Sequence, residues 1–88
     1  MVWAGGLVMG MPELPEGFMW SVTREKYPWL LVALFGPGVT ESEYVDVGLA
    51  SDETAVVALV EHAAERVEAI WCRKRSLDEI VARNWPAP

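Results

Sequence analysis

Cysteine, histidine and asparagine each occur once in this 88-residue chain, and lysine and isoleucine twice each. The single cysteine, Cys72, excludes an internal disulfide and a cysteine-based metal site. His62 lies ten residues before it on a helical stretch, about 15 Å along the axis, too far for a Cys–His catalytic pair. His62 therefore reads as a boundary residue and Cys72 as a structural thiol. Long apolar runs are also missing. The longest, Trp29–Phe35, has seven residues, and the apolar start of the chain has no basic flank. Neither pattern suits a signal peptide or a membrane span. Gly36-Pro37-Gly38 lacks the Lys and following Ser/Thr of a phosphate loop. No serine stands in a nucleophile elbow, and the acids near residues 41–53 lack calcium-loop spacing. The expectation is a chain without catalytic residues, cofactor or metal.

What is present is apolar and aromatic. Hydrophobic residues make up 52% and charged residues 23%, a globular balance. A chain this short makes one domain and buries only about 60–65% of its unfolded surface. Five Trp are too many for so small a core to seal, so at least one is expected in an interface. The net charge of −6 disfavours non-specific attachment to nucleic acid or to an anionic membrane. The lone cysteine is compatible with a reducing cytosol, so a cytoplasmic site is expected.

Residues 1–17 have no clean period and read as a flexible or loosely packed leader before a single domain over 18–88. Trp3, Leu7 and Val8 are its candidates for packing on the sheet. From Phe18 to Arg24 the chain alternates apolar and polar, a half-buried strand. The unbroken run 29–35, bracketed by Pro and Gly, reads as a strand buried on both faces. Gly36-Pro37-Gly38 breaks the sheet, Val39–Ser42 bridges onward, and alternation over 43–49 predicts a third strand. Short links make this a three-stranded antiparallel meander. Phe18, Trp20, Val22, Leu30, Val32, Leu34, Val45, Val47 and Leu49 are assigned to the inner face.

Ser51 is the expected cap of a long helix over about 52–74. Val56, Leu59, Val60, Ala63, Val67, Ile70 and Trp71 recur there at helical spacing. Arg73, Lys74 and Arg75 then suit the negative end of its dipole. Ser76-x-x-Glu79 resembles a capping box, predicting a short second helix over about 77–85. It should fold back so that Trp85 shields Trp71. The fold class expected is thus α+β, a two-layer meander on one long helix with a short C-terminal helix.

One helix layer covers one face of such a sheet. Met19, Trp29, Leu31, Phe35 and Tyr44 fall on the other face and, with Trp71 and Trp85, form the predicted interface. The expected function is a small, acidic, non-enzymatic protein-binding or regulatory chain. A homodimer is the expected assembly, with an unidentified protein as the other candidate partner and no membrane. Small Trp-rich chains without motifs are often encoded by phages or mobile elements, which sets the expected origin. The alternative is a nucleic-acid-binding accessory protein. It would use Arg66, Arg73, Lys74, Arg75 and Arg83 at the basic helical end, since residues 11–65 carry −8 and residues 66–88 carry +2.

Overall fold

A computed structural model describes residues 2–4 and 10–87. Four strands and one helix follow in order: β1 (Val2–Ala4), β2 (Met19–Arg24), β3 (Trp29–Gly36), β4 (Val39–Asp46) and α1 (Glu53–Asn84). The sheet is antiparallel throughout, with the strands side by side in chain order. The α+β class and the meander of β2, β3 and β4 are as the alternation predicts. Val2–Ala4 adds an edge strand beside β2, with Trp3 opposite Val22. The predicted packing of Leu7 and Val8 lies outside the described residues.

The helix side of the sheet carries the core. Trp20 and Val22 of β2, Val32 and Leu34 of β3 and Val45 of β4 are buried against Val60, Ala63, Ala64, Val67 and Trp71 of α1. These sheet residues share one face because side chains alternate along a strand. The described part of the leader also reaches this core. Met11 and Leu14 pack on it, and the Trp20 indole N–H donates to the Pro12 carbonyl at 2.8 Å. That bond satisfies the one polar atom the buried ring carries. On β4, Glu41 and Glu43 share the face of Val45, opposite Leu34 and Val32, and meet the helix there. Glu43 takes a forked bond from the Arg66 guanidinium, and Glu41 accepts from Lys74 Nζ at 2.6 Å. The hydrogen bond that Arg66 donates to Glu43 raises the Arg66 pKa above its already high value.

Three sequence expectations need correction. The third strand starts at Val39, not at 43, and ends at Asp46, not at 49. Pro37-Gly38 forms a two-residue turn that lets Val39 pair directly with Gly36, so no bridging segment is needed. Gly38 has φ +71°, and Pro followed by a positive-φ Gly is the pattern of a type II turn. At the other end the Gly48 N–H donates to Asp46 Oδ1 at 2.8 Å, which turns the chain out of the sheet. Leu49 is consequently fully exposed rather than in the core. The helix cap is Asp52, whose side chain accepts from the Ala55 N–H at 2.9 Å, not Ser51.

The third correction is the largest. The described residues hold no second helix: α1 runs unbroken for 32 residues, about 48 Å. No Gly or Pro falls between Gly48 and Pro86. Ser76 costs a helix only about half a kcal/mol. A break would strand carbonyls and N–H groups on both sides of it. The Arg75–Glu79 pair, at 3.7 Å, spans the place where the break was expected. Trp85 therefore does not fold back on Trp71. Fourteen residues separate them along one axis, about 21 Å. The strands reach only about 27 Å at eight residues, so the last third of the helix leaves the sheet behind.

Gly36 shows how tightly the exit of the helix is packed. A Cβ there would overlap the Phe18 ring, which itself lies 5.0 Å from the Trp71 ring. Gly36→Ala is expected to destabilise the chain by about 1–3 kcal/mol by forcing Phe18 off Trp71. Urea unfolding followed by Trp fluorescence measures it; an unchanged midpoint would mean that the ring yields freely.

Candidate functional site

Among the described residues, two surfaces hold exposed apolar groups. The first is the outer face of the sheet. The register places Met19, Phe35 and Thr40 in one row and Thr23, Leu31 and Tyr44 in another. Between them runs a row of small residues, Ser21, Ala33 and Ser42. The result is a trough with aromatic and aliphatic rims, whose floor at Ser21 and Ala33 exposes only 7% and 2%. Trp29 and Tyr44 meet edge to face, with ring centroids 6.5 Å apart. With Glu25 and Lys26 they border a shallow hollow of about 370 Å³. Met19, Trp29, Phe35 and Tyr44 are exposed, and Leu31 is half-buried.

The second surface is the free end of α1. Trp71 is the last buried residue of the helix, and Cys72 through Asn84 are all exposed. Yet this end is not polar all round. Ile70, Leu77 and Val81 follow at steps of seven and four, and Trp85 comes four later, so they share one side. Ile80 stands beside them. Exposures of 53% for Leu77, 51% for Val81 and 73% for Trp85 are high for apolar side chains on one stripe. A helical end of this length is marginal alone in water, because helix in proteins is held mostly by tertiary packing.

Where the helix leaves the sheet, a crook of about 580 Å³ opens between it and the β3–β4 turn. Phe18, Val39 and Trp71 line its apolar part, and Lys74, Arg75, Asp78 and Glu79 its helix wall. Arg75 lies 5.6 Å from the Trp71 ring centroid, a cation–π distance.

Of the seven predicted interface residues, five come together on the outer face: Met19, Trp29, Leu31, Phe35 and Tyr44. Trp71 is core, and exposes only 7% of its surface at the floor of the crook. Trp85 is at the far tip of the helix. Sequence reasoning missed the crook and the free stripe. The signal was there in the unbroken stretch between Gly48 and Pro86. Cys72 is exposed on the free end, so it is not the packed thiol that was expected. Of the cations proposed to touch phosphate, Arg66 and Lys74 are engaged by strand carboxylates, and Arg75 lies between Trp71 and Glu79.

Among the described residues, no three His, Cys, Asp or Glu side chains converge as metal ligands would. Nor is any helix among them long and apolar enough to cross a membrane. Comparison with protein-family models, with curated proteins and with solved structures found no match.

Proposed function

We propose that this chain is a non-enzymatic protein-interaction module, an α+β head that holds out the free end of its helix as a docking rod. One observation carries the reading. A stripe that starts at Ile70 and continues through Leu77, Val81 and Trp85 stands exposed on the helix, and no other element among the described residues covers its free end. Burying about 25 cal/mol per Å² of such surface in a partner is the direct way to stabilise it. The outer sheet trough, with Trp29 and Tyr44 at its rim, is the second surface of the same module. Nucleic-acid binding has less support, since acids engage Arg66, Lys74 and Arg75, three of the five cations it would use.

Affinity capture from the native host, with the wild-type chain and two variants compared by mass spectrometry, tests this. Leu77→Asp is expected to lose the specific partners by at least about tenfold, because it puts a charge at the centre of the buried patch. Trp29→Asp reports on the trough separately. If both variants keep every partner of the wild type while folded, neither surface is the docking site.

A further inference from the structure

We infer that the free end of the helix pairs with the free end of a second copy, antiparallel, and that each Trp85 enters the crook of the other copy. The inference rests on the docking role proposed above and names its occupant.

Surface area comes first. A monomer of 9.8 kDa is expected to expose about 5,200 Å². This chain exposes 6386 Å². The excess, about 1,200 Å², exceeds the roughly 800 Å² per partner that a standard interface buries. The molecule is 53 Å long and only 22 by 20 Å across, and an elongated shape exposes more surface than a compact one of the same mass.

Length is the second consideration. In an antiparallel pair crossing near Asp78, Trp85 of one copy lies level with Trp71 of the other. Leu77 of one copy then lies within about 3 Å along the axis of Val81 of the other, so the two stripes overlap across the two-fold axis. Trp85 also points the right way. Fourteen residues at about 100° each leave it within about 40° of the side on which Trp71 meets the sheet. Each indole therefore leans toward the crook of its partner, whose 580 Å³ is ample for one. A parallel pair would instead bring the two heads to the same end and set Trp85 level with Trp85, away from both crooks.

The pair is isologous, as a two-fold dimer requires, since each copy offers both a tip and a crook.

Sedimentation equilibrium of the full chain from about 1 to 100 μM tests the inference, a range spanning the affinity expected of a standard-size interface. The expected result is a dimer of twice 9.8 kDa. Leu77→Asp and Trp85→Ala should each weaken it by about tenfold or more, with unchanged thermal unfolding of the head. Trp29→Asp, on the sheet trough, should leave it unchanged. A monomer throughout the range overturns the inference, and the capture experiment then decides separately whether the docking role stands. A dimer that survives Leu77→Asp but dissociates with Trp29→Asp overturns it in favour of the sheet face.

Discussion

Trp71→Ala will destabilise the chain by about 3–5 kcal/mol, the range for removing a buried aromatic side chain. The indole is the last buried side chain by which α1 packs on the sheet. It exposes 7% of its surface, its ring is tilted 49° to the Phe18 ring, and Arg75 lies over it. Truncation leaves Phe18 facing a void, and the helix loses its final apolar anchor before the free end. Domains of this size hold only about 5–10 kcal/mol in total. The loss should therefore lower the melting temperature by more than about 10 °C. Urea unfolding reads it as a lower midpoint with an unchanged slope. A change below about 1 kcal/mol would show that the helix is held elsewhere.

Leu77→Pro gives the second large effect, and it separates one helix from two. At the first turn of a new helix proline is well tolerated, because the N–H it lacks has no partner there. Inside a continuous helix it costs about 3 kcal/mol and clashes with the preceding turn. With α1 unbroken over Glu53–Asn84, the free end should unwind from about residue 74 onward. Far-ultraviolet circular dichroism would then lose about a quarter to a third of the helical signal, in proportion to the helical turns lost. The head should keep its melting temperature, since Leu77 touches none of the core cluster. Full retention of the helical signal would mean that the chain already turns there.

The meander was legible because its signals are local. Alternation in residues 18–24 and the apolar run 29–35 assigned the faces of β2 and β3, and the register Met19 opposite Phe35 agrees. Val45 and Tyr44 also fall on the expected sides, although the strand bearing them begins four residues early. That error came from reading Gly36-Pro37-Gly38 as a break rather than a hairpin turn. The helix end was misread for a different reason. Ser76-x-x-Glu79 has capping-box chemistry, but a cap needs a helix that has already stopped. Nothing before Ser76 stops this one. The crook was not legible at all, since it depends on how far the helix outruns strands remote from it in sequence.

A rod embedded along part of its length ties the bearing of its stripe to residue count. Adding one residue between Trp71 and Leu77 lengthens the helix by only about 1.5 Å but swings everything beyond it through about 100°. Ile70 would stay in place while Leu77, Val81 and Trp85 moved to another side of the helix. Docking through this segment should therefore tolerate exchanged side chains on its polar side better than a single inserted or deleted residue, and a seven-residue insertion better than either a three- or a five-residue one.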